Sequence, residues 1–232
     1  MEQGLVSLLA AATLFGAGAA SAQPLGTSGQ VVLGVDRLFG YSSASTTVKD
    51  DSGSEVTTTL SGFSLLGNYP LAMYSLPRLS VDFLPTNGLT IGGSVMYAYV
   101  SGSIEAEGYD EDIASQNIFL IGPRVGYAYM FSDNVGIWPR AGVSYVTIWS
   151  EDEAPDPMTG DTTTVEDSQS ETAINLDVML VLSPAEHVGL TVGPTVDIGL
   201  GGTSKTEIGS SSSEVDVSTF GFGVQAGLIA WF

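Results

Sequence analysis

The last segment of the chain alternates strictly between two kinds of side chain and ends on an aromatic residue. In steps of two, one set of positions is wholly apolar: Phe220, Phe222, Val224, Ala226, Leu228, Ala230 and Phe232. The intervening positions are small or polar as far as Gly227, and Ile229 and Trp231 complete that set. A period of two predicts a β-strand with one apolar face. A soluble domain rarely ends on such a strand, because chain termini usually fray at the surface.

The same alternation recurs along most of the chain. It predicts strands over 30–39, 77–84, 89–100, 116–130, 135–149, 172–182, 188–200 and 217–232. We predict that 55–66 forms the upper part of the second strand or of its loop, with 67–76 as an inserted excursion. Most of these segments are close to the ~9–11 residues that a tilted membrane strand requires. The sequence therefore predicts eight strands, with ten as the alternative.

The connections between these strands alternate in length and composition. Tight turns rich in Asn, Asp, Gly and Pro lie at 85–88, 132–134 and 183–187. Four longer stretches hold nineteen of the 26 acidic residues: 42–55, 101–115, 150–171 and 202–217. Short turns on one side and long loops on the other are typical of an outer-membrane β-barrel.

This pattern, together with the terminal Phe232, resembles the transmembrane domain of OmpA and the small OmpX-like barrels over nearly the whole mature chain. The resemblance implies an all-β, antiparallel up-and-down transmembrane barrel with short periplasmic turns and long acidic outer loops. It also implies that the barrel-assembly machinery recognises the last strand through Phe232. Its expected surroundings are outer-membrane lipid and lipopolysaccharide, and its expected state is a monomer.

The start of the chain agrees with export to that membrane. Leu5 to Phe15 is apolar, and Ala20-Ser21-Ala22 before Gln23 fits a signal-peptide cleavage site. We therefore predict a signal peptide over 1–22, a single barrel domain over 23–232, and the outer membrane of a Gram-negative bacterium as the location. Glu2 stands where a positive charge is expected, which indicates an atypical signal or a start codon further upstream. The alternative is a short hydrophobic core helix.

Apart from Arg37, the few charges outside the predicted loops and turns fall on the face opposite the apolar one. They are Asp36, Arg78, Asp82, Arg124, Arg140, Asp177 and Asp197. In a membrane barrel this face lines the lumen, and buried charges are costly unless they pair. We therefore predict a network of Arg–Asp pairs near mid-height, in an interior just wide enough for side chains. Arg37 falls on the lipid face by the alternation, where it would snorkel to the headgroups or mark a β-bulge.

No catalytic, cofactor-binding or metal-ligating residue is predicted, and we do not expect an enzyme. The chain has no cysteine, its one histidine, His187, lies in a tight turn, and no nucleophile motif occurs. Weak divalent-cation binding, bridging to lipopolysaccharide phosphates, is a hypothesis for the acidic runs 105–112 and 151–156. The net charge of −20 argues against nucleic-acid binding.

Three classes of function follow from these observations. The first is a barrel with a structural or surface-interaction role and a lumen plugged by side chains. The second is a small gated pore or channel controlled by the lumen arginines and aspartates. The third is a secreted, soluble β-barrel that binds a small ligand.

Overall fold

The computed structural model describes residues 23–50, 52–65, 73–106, 109–155, 162–209 and 211–232. The predicted signal peptide lies outside these residues. The strands are β1 Val31–Lys49, β2 Glu55–Leu65, β3 Arg78–Phe83, β4 Leu89–Ala106, β5 Tyr109–Tyr127, β6 Tyr129–Met130, β7 Val135–Pro155, β8 Thr162–Ala185, β9 Val188–Ile208 and β10 Ser211–Trp231. A 3₁₀ turn covers Met73–Ser75. Within this described part of the chain, no helix is long and apolar enough to cross a membrane.

The strands form one antiparallel sheet that closes on itself. Neighbours follow the order β10-β9-β8-β7-β5-β4-β3-β1, and β10 also pairs with β1. β2 and β3 pair with different parts of the same edge of β1, so together they fill one position in the ring. In the same way, β5 and β6 both pair with β7 and fill one position. Eight ring positions result, so the predicted all-β, up-and-down barrel is confirmed.

The second ring position is built from two separate strands. The upper part of β1, Phe39–Lys49, pairs with β2, and its lower part, Val31–Asp36, pairs with β3. The prediction that 55–66 forms the upper part of the second strand is therefore confirmed. Of the predicted excursion 67–76, the structure describes the end, from Met73 onward, and there Tyr74 and Leu76 are buried.

The strands continue beyond the ends predicted for them. β7 and β8 pair as far as Pro155 and Thr162, so most of the acidic stretch 150–171 extends a hairpin. Threonine and serine favour this, because they fit a pleated surface and bond across it. The hydroxyls of Thr47 and Thr57, for example, lie 2.9 Å apart across β1 and β2. The acidic outer segments are therefore largely ordered hairpins.

The outer face of the barrel is apolar. Large hydrophobic side chains point outward and are exposed on every ring position, and tyrosines such as Tyr97, Tyr127 and Tyr145 lie among them. Monomers in water rarely expose an apolar surface of this extent, whereas a lipid bilayer accommodates it. The outward set includes Leu79, Val81, Ile91, Val95, Ile121, Val125, Val143, Leu176, Val178, Leu190, Ile198, Phe220, Phe222, Val224 and Leu228.

The interior is filled by side chains rather than open. One apolar cluster comprises Leu25, Val32, Leu84, Ala128, Trp138, Met179, Val181, Ile229 and Trp231, and we call it the base layer. A second comprises Tyr74, Leu76, Met96, Ile118, Leu120, Val146 and Ala173, and we call it the upper layer. Apolar side chains therefore fill much of the interior at these two levels, and buried hydroxyl residues such as Thr90, Ser144 and Thr191 occupy other inward positions.

The segment before β1 closes the periplasmic end of the barrel. Leu25 is buried in the base layer, and Gln30 holds the segment by donating from Nε2 to the Pro24 carbonyl at 3.0 Å. The Gly29 amide donates to the Leu84 carbonyl at 2.8 Å. Trp231 Nε1 donates to the Gln23 carbonyl at 3.0 Å, which ties this segment to the last strand.

Candidate functional site

The seven charged residues predicted to face the lumen are all inside the barrel, between the base layer and the upper layer. Arg37 joins them, so the set contains four arginines and four aspartates and its formal charges cancel. We call these eight residues the charge layer: Asp36, Arg37, Arg78, Asp82, Arg124, Arg140, Asp177 and Asp197.

One half of the charge layer is built around Asp36 on β1. Its two oxygens accept from Arg124 Nη1 at 2.5 Å and from Arg140 Nη1 at 2.9 Å. Arg124 also forms a bidentate pair with Asp82, in which Nε lies 2.9 Å from Oδ1 and Nη2 donates to Oδ2. Bidentate, charge-assisted bonds of this kind fix geometry as well as contributing energy.

The other half is built around Arg37. Its guanidinium forms two hydrogen bonds with the Asp197 carboxylate, at 2.7 and 2.8 Å, and a longer one of 3.4 Å with Asp177. Arg140 Nη2 also reaches Asp177, at 3.2 Å. Asn175 Nδ2 donates to Asp197 at 2.7 Å. Shared partners therefore link the two halves into one continuous chain of ion pairs.

Arg37 does not lie on the lipid face, contrary to the alternation. Its φ is +58°, a left-handed conformation that is uncommon for a residue with a side chain. The register between β1 and β10 shifts between Val35 and Phe39, so Arg37 lies in a β-bulge. The bulge turns two consecutive side chains, Asp36 and Arg37, into the lumen. Of the two explanations given for Arg37, the bulge is confirmed and snorkelling is wrong.

The 3₁₀ turn enters the lumen and is held by two arginines of the charge layer. The Tyr74 carbonyl accepts from Arg78 Nη2 at 2.6 Å and from Arg37 Nη1. Arg78 forms no salt bridge with a carboxylate of the described residues, unlike the other three arginines of the layer. We call residues 73–77 the plug turn.

The base layer supports the charge layer through Trp138. The guanidinium carbons of Arg140 and Arg124 lie 5.0 and 5.8 Å from the centroid of the Trp138 ring. Cation–π contacts within about 6 Å are attractive and stronger when desolvated. Trp138 Nε1 donates to Thr90 Oγ1 at 3.1 Å, so the indole is also satisfied.

A fifth buried carboxylate, Glu171, was missed because it lies in a stretch predicted to be a loop. It is 1% exposed, and its Oε1 accepts from the Thr219 amide at 2.6 Å. The register between β10 and β9 shifts between Val217 and Phe220, so Thr219 lies in a bulge. Glu171 therefore accepts a hydrogen bond from the Thr219 amide, at the point where the bulge interrupts the hydrogen bonds between β9 and β10.

The single histidine is part of a turn at the periplasmic end. His187 has a φ of +65°, and its Nδ1 lies 3.0 Å from the Trp231 carbonyl oxygen. Ser183 is the serine of the same turn, and its hydroxyl donates to main-chain oxygens of that turn rather than to His187. The structure therefore does not bring these two residues together as a nucleophile and base.

The two acidic runs considered for divalent cations fall wholly or largely among residues whose side chains the structure does not describe. Among the residues that it does describe, no group of three His, Asp or Glu side chains could hold a metal ion. Phe232 completes the ring, since its amide and carbonyl bond to Val31 at 3.0 and 3.1 Å. Its role as an assembly signal stays a prediction.

Comparison with known proteins identifies the fold. No protein-family model matches the chain, and no curated protein matches it. The outer membrane protein OprG from Pseudomonas aeruginosa is 12% identical, with 90% of this chain and 99% of that chain covered and a TM-score of 0.56. The outer membrane protein AlkL, solved in DMPC bilayers, is 14% identical, with coverages of 94% and 95% and a TM-score of 0.51.

A more distant structure is the outer membrane protease OmpT from Escherichia coli, with 10% identity, coverages of 88% and 97%, and a TM-score of 0.45. That likeness is too remote to bear on the activity of this chain. The likeness to OprG and AlkL, at these identities, concerns the fold. Together with the apolar outer face, it shows that this chain has the fold of the small outer-membrane β-barrels.

Proposed function

We propose that the chain is a non-enzymatic outer-membrane barrel with a closed lumen and a structural or surface-interaction role. One observation carries the proposal. The ion pairs from Asp82 through Arg124, Asp36 and Arg140 to Asp177, Arg37 and Asp197 form an unbroken chain inside the barrel. Apolar side chains pack in the layers on both sides of it.

The energetics favour a closed state. An ion crossing the lumen would have to pass an apolar layer, displace paired guanidinium and carboxylate groups, and pass a second apolar layer. Removing one member of a buried pair leaves a charge uncompensated, at a cost of about 3–5 kcal/mol in soluble proteins. An eight-stranded barrel also has little interior room beyond its own side chains.

The surface role rests on the outer hairpins. β7 and β8 extend to Pro155 and Thr162 and carry acids, serines and threonines beyond the apolar face. With a net charge of −20, such a surface repels nucleic acid and anionic lipid. We propose that it contacts lipopolysaccharide or other external molecules, with divalent cations as bridges.

The biogenesis of the barrel is part of the same proposal. Cleavage after Ala22 would release residues 23–232, and the assembly machinery would recognise the strand that ends at Phe232. Pairing of Phe232 with Val31 within one chain supports a monomer, because the ring closes without a second copy.

Planar-bilayer conductance tests the proposal. The folded wild-type protein and the variants Arg124→Ala and Arg140→Ala are inserted under the same conditions, and insertion is verified by a gel shift of protein recovered from the same preparation. Silence of all three supports a plugged barrel. Current steps in the wild type would contradict it.

A gated pore is the second candidate, and the plug turn is the observation that favours it. The plug turn contacts the charge layer through the Tyr74 carbonyl, which accepts from Arg37 and Arg78. In addition, the edge of β4 that faces β3 is paired only as far as Val95. Beyond Val95, toward the outer end of β4, no described strand pairs with that edge. A silent wild type together with current steps in Arg37→Ala, Arg124→Ala or Arg140→Ala would favour the gate over the plug.

A further inference from the structure

Arg78 is the one arginine of the charge layer that lacks a carboxylate partner among the described residues. Its side chain is buried, with 5% of the residue exposed. Nη2 donates to the Tyr74 carbonyl, while Nε has no hydrogen-bond partner in the described part of the chain. A buried guanidinium with an unused donor is costly unless an acceptor meets it.

Arg140 has a similar unused donor, and it lines the same small cavity as Arg78. Its Nη1 and Nη2 bind Asp36 and Asp177, but its Nε has no partner among the described residues. Both arginines line a small cavity next to the charge layer, together with Arg124. Three arginines therefore line one cavity, and Asp177 is the single acidic residue in its lining.

The chemistry of the lining selects an anion. Beyond Asp177, the polar side chains there include Ser94 and Asn175, and the Asn175 amide nitrogen is already used by Asp197. The excess of N–H donors and positive charge leaves no role for a cation. Hydrogen bonds from ionised donors to an anion are about twice as strong as bonds between neutral groups.

The size of the cavity limits the anion to a single atom. The centre of a water-sized sphere can occupy about 20 Å³ there. A volume of roughly 10–15 Å³ by this measure is enough for one water molecule. The cavity therefore has room for a single small particle, and not for sulfate or phosphate.

We propose that this cavity binds one monovalent anion of the size of chloride, with Arg78 as its principal ligand and Arg140 as a second. The ion would supply an acceptor to the two arginines whose Nε donors are unused. The site goes beyond the proposed function, because it requires only the folded charge layer and holds whether or not the lumen conducts.

Chloride-35 NMR of the folded protein in detergent tests the site. Chloride is titrated, and the excess linewidth over protein-free buffer reports bound ion. The wild type should give excess linewidth that bromide displaces and gluconate does not. Arg78→Gln should weaken apparent affinity by about tenfold or more, as loss of a charged hydrogen bond predicts. Lys49→Gln removes the same charge from an exposed pair with Glu55 and should leave the linewidth unchanged.

Two outcomes would overturn the proposal. One is a wild type whose excess linewidth equals that of Arg78→Gln, which would mean that water alone fills the cavity. The other is an equal loss in Lys49→Gln, which would mean non-specific surface binding. If the gel shift shows that Arg78→Gln does not fold into a barrel, the proposal is tested on the wild-type protein alone. Its unfolding temperature should be higher in chloride than in gluconate at equal ionic strength, and equality would refute the site.

Discussion

Arg37 and Asp197 lie 160 positions apart in the chain and form two hydrogen bonds, at 2.7 and 2.8 Å, inside the barrel. The bulge in β1 makes this pair, because it turns Arg37 from the lipid side into the lumen. The pair joins the first strand to β9 across the interior, and Arg37 also holds the plug turn through the Tyr74 carbonyl.

Replacing Arg37 alone should destabilise the barrel strongly. Arg37→Met leaves the Asp197 carboxylate buried without its main partner, and we expect a loss of about 3–5 kcal/mol in unfolding free energy. The double variant Arg37→Met/Asp197→Asn should recover part of that loss, because it removes both charges. Urea unfolding of the barrel in lipid vesicles measures both values. A single variant as stable as the wild type would show that the pair does not hold the barrel together.

The base layer should depend on Leu25. Its side chain is 2% exposed among the aromatic and aliphatic residues of that layer. Leu25→Ala should therefore cost about 2–5 kcal/mol, as buried leucine truncations do. Leu60→Ala is the matched control, because Leu60 is 50% exposed and should cost far less. Equal losses for the two variants in the same urea assay would contradict the proposed seal at the periplasmic end.

Glu171 should act through its hydrogen bond to Thr219 rather than through its charge. Glu171→Gln keeps an acceptor at Oε1 and should retain most of the stability. Glu171→Ala leaves the buried Thr219 amide unsatisfied and should cost about 1–3 kcal/mol. The difference between the two variants in unfolding free energy is the informative quantity. If glutamine and alanine are equally damaging, the charge matters and the amide contact does not.

Gly199 should not tolerate a side chain. A Cβ placed there would clash with Glu171 Oε1 and would lie 2.7 Å from the Thr219 amide nitrogen. Gly199→Ala should displace the Glu171 carboxylate and lower the temperature at which the barrel unfolds on a gel. Gly221→Ala is the control, since its Cβ would meet nothing closer than 3.7 Å. If Gly199→Ala unfolds at the same temperature as the wild type, the Glu171 side chain does not lie against Gly199 as described.

The alternation of apolar residues was enough to predict the fold. Strands such as 188–200 and 217–232 have an apolar face uninterrupted over several steps, and a period of two assigns their inward positions directly. Arg124 and Arg140 were placed inside the lumen by this pattern, because each lies in a strand whose register is regular at that point. Asp36 was also placed there, because the alternation of β1 is intact up to the bulge that begins after Val35. The two-part second strand was one of the two alternatives given for 55–66. Arg78–Phe83 alternates clearly, whereas the apolar residues of Glu55–Leu65 change face between Leu60 and Phe63.

Features that depend on long-range packing did not follow from the pattern. For Arg37 the pattern left two explanations, a bulge or a lipid-facing arginine, because a bulge changes the parity of the strand at one residue and the alternation alone does not distinguish the two. The inward turn at Tyr74 depends on contacts with Arg78, four residues later, and with Arg37, which lies in the first strand. Glu171 was assigned to a loop because an acidic, serine-rich stretch is usually solvated, and its burial depends on the bulge at Thr219.

The central claim is that this chain forms a closed barrel inserted in an outer membrane. The most direct test is electrophoresis of outer-membrane extract from expressing cells, with and without heating in detergent. The account predicts that the protein is recovered in the outer-membrane fraction and that the unheated and boiled forms migrate at different apparent masses. Recovery from the soluble periplasm without detergent, with one band that heating does not shift, would contradict it.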